Sequence, residues 1–278
     1  MMRESLIKIL DDYLFLRHSP LLADRPSLLF VHGLGDSGKT FQEVFEDSRF
    51  ESFNILAPDL AGYGRSSASA DYSFGAHTNR LWNLIEKLES RDRVDLERLI
   101  VVGHSLGGDI TTLFCDSDRR GKVSKYVNIE GDITQFDLFI SGQAVEAASR
   151  GEFKRWFESD FMEQKVYAEL GTGYESCRRY YASLHFARQE AFLANARELY
   201  NRNTSVEGEY KSEIGKIYCS LRIPKVFCYG TNSISPETVR FLERMGLESK
   251  SFPGAFHWLM VDAREEFYSF LHDYASRD

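Results

Sequence analysis

One serine, with a glycine two residues before it and another two residues after it, constrains this chain more than any other feature. The segment reads Leu99-Ile100-Val101-Val102-Gly103-His104-Ser105-Leu106-Gly107-Gly108. Leu99–Gly103 is a short, continuously apolar run of strand type, and Leu106–Cys115 carries the apolar spacing of a helix. A serine on so sharp a strand-to-helix turn sits in a strained backbone conformation. Side chains two positions away on either side would crowd that turn, so Gly103 and Gly107 clear the space. The turn exposes the Ser105 hydroxyl at a sheet edge. It also aims the Leu106 amide, at a helix start, where a developing oxyanion gains from the helix dipole. An accidental Gly-Ser-Gly turn is the bland alternative, but the flanking strand and helix patterns count against it.

The rest of the chain repeats the same alternation. Ser5–Leu10 and Tyr13–Arg17 flank Asp11-Asp12 and read as a β-hairpin. Ser27–Val31, Phe53–Ala57, Tyr126–Ile129, Lys225–Tyr229 and Glu248–Phe252 are further short apolar runs. Runs without polar alternation suit strands covered on both faces, as in a parallel sheet. Phe74–Glu89 and Pro236–Met245 have helical stripes. The expected architecture is α/β, a mostly parallel, doubly wound sheet. From Asp132 to about Arg222 no convincing strand occurs, and the sequence is dense in aromatic and charged residues. This implies a helical cap (132–222) inserted after the sixth strand of a core made of 1–131 and 223–278. A cap over the C-terminal edge of such a sheet lies where ligands bind, so it reads as a lid. Its aromatics, Phe136, Trp156, Phe161 and Tyr180, read individually as packing residues before contacts.

Composition excludes several other classes. With 278 residues, 43% hydrophobic and 14% aromatic, the chain can bury a sizeable core. A formal charge of −8 disfavours a nucleic-acid partner, which needs a clustered basic face. Arg119-Arg120-Gly121-Lys122 is too short for one and reads as solvated surface. No apolar run approaches the roughly 20 residues of a membrane span. The start Met1-Met2-Arg3-Glu4-Ser5 carries no signal peptide, so the expected location is the cytoplasm, with no membrane partner. Cys115, Cys177, Cys219 and Cys228 form no CxxC pair and read as buried, reduced thiols rather than metal ligands or disulfides.

At this point the chain resembles the α/β-hydrolase superfamily over nearly its whole length. His32-Gly33-Leu34-Gly35 looks like the family's oxyanion loop after the third strand. Pro58-Asp59-Leu60-Ala61-Gly62-Tyr63-Gly64-Arg65-Ser66 looks like the P-D-x-x-G-x-G-x-S loop after the fourth. Phe256-His257-Trp258 and the following Val261–Phe267 look like the loop and final helix that carry the base. The resemblance implies oxyanion donors at the amides of Leu34 and Leu106. Nucleophile first and histidine last is also the order expected for this fold.

A serine hydroxyl needs a base. Of seven histidines, His257 follows a strand-like segment and a Pro253-Gly254 turn, where a loop returns to the sheet edge. His18, His77, His185 and His272 lack that setting and read as surface or packing residues. His32 and His104 adjoin the site and read as structural. The orienting acid departs from the common pattern. After the seventh strand, Gly230-Thr231-Asn232-Ser233-Ile234-Ser235-Pro236 has no carboxylate, and Asn232 or Ser233 would stabilise an imidazolium poorly. Val127-Asn128-Ile129-Glu130-Gly131-Asp132 does have carboxylates. Haloalkane dehalogenases, which share the fold, often place the acid after the sixth strand, and their strand-end glutamate aligns with Glu130. Glu130 is therefore the first choice and Asp132 the alternative.

Two competing readings remain. Gly33-Leu34-Gly35-Asp36-Ser37-Gly38-Lys39-Thr40 fits the phosphate-cradling pattern G-x-x-x-x-G-K-[ST]. A nucleotide binder of that type needs an acidic metal partner on another buried strand, and Asp59 already belongs to the loop described above. A ligand receptor on a hydrolase scaffold, with slow or no turnover, is the other. Dehalogenase or epoxide hydrolase chemistry is disfavoured, because it uses a carboxylate nucleophile where this chain has Ser105. The expectation is a serine hydrolase without metal or organic cofactor, acting on a small-molecule acyl substrate. A carboxylic ester comes first, although thioester, lactone, amide and carbon–carbon hydrolysis use the same residues.

Overall fold

The computed structural model describes residues 2–92, 96, 98–208 and 212–277. Its centre is one eight-stranded sheet in the order β1-β2-β4-β3-β5-β6-β7-β8. The strands are β1 (Arg3–Ile9), β2 (Asp12–His18), β3 (Ser27–Val31), β4 (Asn54–Pro58), β5 (Leu99–His104), β6 (Val123–Ile129), β7 (Lys225–Gly230) and β8 (Ser249–Phe252). β1 and β2 form an antiparallel hairpin, and β2 joins β4 antiparallel. From β4 through β8 every pairing is parallel. Every residue of β3, β4 and β5 is buried, as strands covered on both faces require. The edge strand β1 instead alternates exposed and buried positions near its end.

Two helices follow the core strands: α1 (Phe74–Asp92) before β5, and α2 (Leu106–Asp116) after it. Each buries the stripe its sequence spacing implies; α1 buries Leu81, Leu84, Ile85 and Leu88. Between β6 and β7, the described residues form helices and no strand. These are α3 (Phe139–Ser149), α4 (Phe153–Arg155), α5 (Glu175–Leu184), α6 (Gln189–Thr204) and α7 (Glu213–Ser220). A π-helical stretch, Trp156–Glu169, runs on from α4. The chain closes with α8 (Pro236–Arg244), α9 (Leu259–Asp262) and α10 (Arg264–Ser276). Among the described residues no helix is long and apolar enough to cross a membrane. All four cysteines are free; Cys115, Cys177 and Cys228 are buried, whereas Cys219 is only half-buried.

Candidate active site

Ser105 sits where β5 ends and α2 begins, at φ 52° and ψ −127°. Among the described residues only four non-glycine residues have positive φ, and two of them, Ser105 and Glu130, lie in this site. L-residues avoid that region, so the surrounding structure must impose it. The Ser105 amide donates to the Ile129 carbonyl at 2.8 Å. A Cβ on Gly103 would overlap Thr111 Oγ1, and one on Gly107 would overlap the Val31 carbonyl. The two flanking glycines are thus required by close approach, as the spacing in the sequence implies.

His257 lies after β8 on the loop into α9. Its Nδ1 is 2.7 Å from Glu130 Oε2. The other oxygen of Glu130 accepts from the Gly230 amide and from the Ser233 hydroxyl, each at 2.6 Å. The loop after β7, which holds no acid, therefore contributes donors that hold the acid supplied by β6. With a carboxylate on Nδ1, the imidazole keeps Nε2 free for a substrate or nucleophile. Asp132, the alternative acid, forms no hydrogen bond or ion pair with His257; its backbone amide donates to Asp109 Oδ2 at 2.8 Å.

A cavity of about 350 Å³ brings these residues together. Ser105, His257, Glu130, Asp132 and Leu34 all line it. The Leu106 side chain is fully buried. Among the described residues neither the Leu34 nor the Leu106 amide meets an acceptor, which leaves both N–H groups available. The cavity walls also include Phe136, Phe161 and Tyr180 from the helices after β6. Three of the four aromatics read as packing residues before contacts therefore reach the cavity. Trp156 does pack, stacked on Phe161 at 5.0 Å between centroids.

Buried polar residues fix the loops around the serine. His32 donates from Nδ1 to the Gly33 carbonyl and accepts the Leu60 amide on Nε2, at 2.8 and 2.9 Å. Burial holds its pKa below the usual value. His104 is likewise kept neutral by burial, and its Nε2 donates to the His257 carbonyl at 3.0 Å. His104 thus has the structural place expected of it beside the site. Its spacing next to Ser105 gave no signal that it anchors the backbone of the distant base. Asp59 accepts from Arg17, the Gly38 amide and the Arg65 amide at 2.6, 2.8 and 2.9 Å. In the phosphate-loop pattern, the Ser37 amide is taken by Asp36, Gly38 by Asp59 and Thr40 by the Ser37 carbonyl. Amides that would cradle a phosphate are engaged inside the protein, which counts against the nucleotide reading.

Fold and site together define an α/β hydrolase. Residues 26–262 match the family model described as the alpha/beta hydrolase fold, and the chain belongs to that family. An uncharacterized protein of Mycobacterium tuberculosis is 39% identical over 115 residues, covering 37% of this chain and 32% of that protein. This chain thus matches about a third of that relative's length. An epoxide hydrolase of Caballeronia sordidicola is 34% identical over 82 residues, covering 30% of this chain and 24% of that protein. The solved E-2-(acetamidomethylene)succinate hydrolase superposes with a TM-score of 0.72 at 21% identity, over 100% of both chains. At that identity the likeness speaks to the fold.

Proposed function

We propose that the protein is a serine hydrolase that cleaves a carboxylic ester, or a related acyl compound, through an acyl-enzyme. The observation that carries this reading is the Glu130–His257 contact of 2.7 Å beside a strained Ser105 in one cavity. Ser105 Oγ attacks the carbonyl while His257 takes its proton and Glu130 stabilises the imidazolium. The Leu34 and Leu106 amides receive the oxyanion. His257 then protonates the leaving group, and water repeats the sequence to release the acid. Residues 132–222 act as a cap over the core of 1–131 and 223–278. The epoxide hydrolase relative suggests other chemistry, but a carboxylate nucleophile is absent at position 105.

The test is turnover of an activated p-nitrophenyl ester. Ser105→Ala should lower kcat by at least ~10³-fold, and chelation of divalent metal should leave the wild-type rate unchanged. A Ser105→Ala rate close to wild type would remove the assignment.

A further inference from the structure

The cavity contains a carboxyl that acyl transfer leaves unused. Asp132 lines it and is 7% exposed. Among the described residues no hydrogen-bond donor reaches its carboxyl group. Its neighbours differ: Asp109 accepts the Asp132 amide and Asn203 Nδ2, at 2.8 and 3.3 Å. Asp137 accepts the Thr134 amide, the Thr134 hydroxyl and the Thr238 hydroxyl, at 2.8, 3.0 and 2.5 Å. A buried polar group without a partner is costly, and native proteins hold few of them. One that faces a cavity is free to meet what enters it.

The charge around Asp132 decides what it can offer. Burial, then the nearby Asp109 and Asp137, push its carboxyl well above the usual range. Burial, opposed by the hydrogen bonds from Thr238 and Thr134 and aided by nearby Glu130, raises Asp137 to about 6. The protonated form of Asp132 is thereby favoured, and in that form the carboxyl presents an O–H donor. Among the described residues that line the cavity, Lys165 is the only lysine or arginine, and it is already paired with Glu169 at 2.5 Å. With Asp36, Glu130 and Asp137 also on the wall, a carboxylate-bearing substrate has no cation reserved for it. The remaining wall is largely apolar, with Phe136, Phe139, Ile140 and Val166 on it.

We propose that Asp132 is a substrate-recognition residue. Its carboxyl donates a hydrogen bond to an uncharged oxo or ether oxygen that an otherwise apolar substrate carries besides its scissile carbonyl. This deepens the acyl-transfer reading and rests on it only for the placement of the substrate in this cavity.

The experiment compares p-nitrophenyl hexanoate with isosteres in which an ether oxygen replaces the third, fourth or fifth chain position. Each kcat/KM is divided by the ester's rate with hydroxide. For wild type, at least one ether ester should be preferred about tenfold. Asp132→Leu should bring that preference to within twofold of unity while still hydrolysing the hexanoate, and Asp132→Ala, which adds no bulk, should do the same. Asp132→Asn, which keeps an N–H donor, should retain most of it. No preference in wild type, or one that survives Asp132→Leu and Asp132→Ala, overturns the proposal. Should wild type hydrolyse no ester, the acyl-transfer reading fails separately. The same comparison is then made by calorimetry with hexanamide and its ether isosteres. Preferred binding that depends on Asp132 sustains its role, and equal affinities or no binding overturn it.

Discussion

The strand-end loops of the sheet and the helices between β6 and β7 both wall the cavity, yet the balance of forces that holds them differs. The loops are tied by directional bonds between buried polar groups: Asp59 to Arg17 and two amides, His32 to Leu60, His104 to His257, and Glu130 to Gly230 and Ser233. The helices add a dense set of aromatic contacts to a few polar ties, such as Asn195 to Tyr63 and Tyr72 and Asn203 to Asp109. Phe157 meets Phe192 edge-on at 4.9 Å, Trp156 stacks on Phe161, and Tyr180 packs on Trp258 at 4.7 Å. Directional bonds fix atoms to within tenths of an ångström, which proton transfer and nucleophilic attack demand. Apolar contacts fix volume and shape but tolerate repacking. The loops therefore give precise positioning and the helices much of the apolar wall, with the Tyr180 hydroxyl joining the two by donating to the Leu34 carbonyl at 2.7 Å.

The sharpest break of that comparison comes from its two carboxyls. Glu130→Gln should lower kcat by about 10²–10⁴-fold, because the imidazolium loses its charged partner. Asp132→Asn should cost less than about tenfold on a plain alkyl ester. Steady-state kinetics on both variants decides, and the reverse ranking would move the acid to Asp132.

A glycine placed in each region gives the next largest contrast. Gly107→Ala drives a Cβ into the Val31 carbonyl and should cost about 2–4 kcal/mol of unfolding free energy. Gly142→Ala, inside α3 with nothing within 4 Å of the added Cβ, should instead stabilise by about 0.5–1 kcal/mol. Urea unfolding measures both, and equal effects would erase the distinction between the two regions.

A third contrast, spread over several pH units, concerns a buried polar residue on the core side. Burial, then Arg80 and His32, hold the His77 imidazole down at about 3. Below pH 6.5 the unfolded chain binds a proton there that the folded chain refuses until about pH 3, so this contribution to stability falls as pH falls through that window. The difference in unfolding free energy between wild type and His77→Leu should change by up to about 1.4 kcal/mol per pH unit below 6.5. Raised carboxyls such as Asp137 act in the opposite sense in wild type and variant alike, so the difference isolates His77. A pH-independent difference would mean that His77 protonates in the folded protein.

Short apolar runs and punctuating turns made the sheet readable in the sequence. Ser27–Val31 coincides with β3, and the other seven strands fall within a few residues of their expected ends. Ser105 and His257 were readable because glycine spacing and a turn leave local marks. Glu130 was chosen over Asp132 through family likeness; nothing local separates two acids two residues apart. Their fates depend on Gly230 and Ser233, about a hundred residues away. The helical segment was legible only as lacking strands. Phe161, Lys165 and Val166 on the π-helical stretch, and Leu170 at its C-cap, all face the cavity. On a 3.6-residue period they scatter around a helix, whereas the i→i+5 winding of a π-helix, with about 4.4 residues per turn, gathers them on one side. No pattern search tuned to α-helices finds that face.

The most direct test of the account is the intact mass and peptide map of the protein after reaction with a fluorophosphonate. A single phosphonate adduct on Ser105 is expected, formed in step with loss of ester turnover and absent from Ser105→Ala. An unlabelled Ser105 in a protein that still hydrolyses the ester, or an adduct on another residue that tracks the loss of activity, would contradict it.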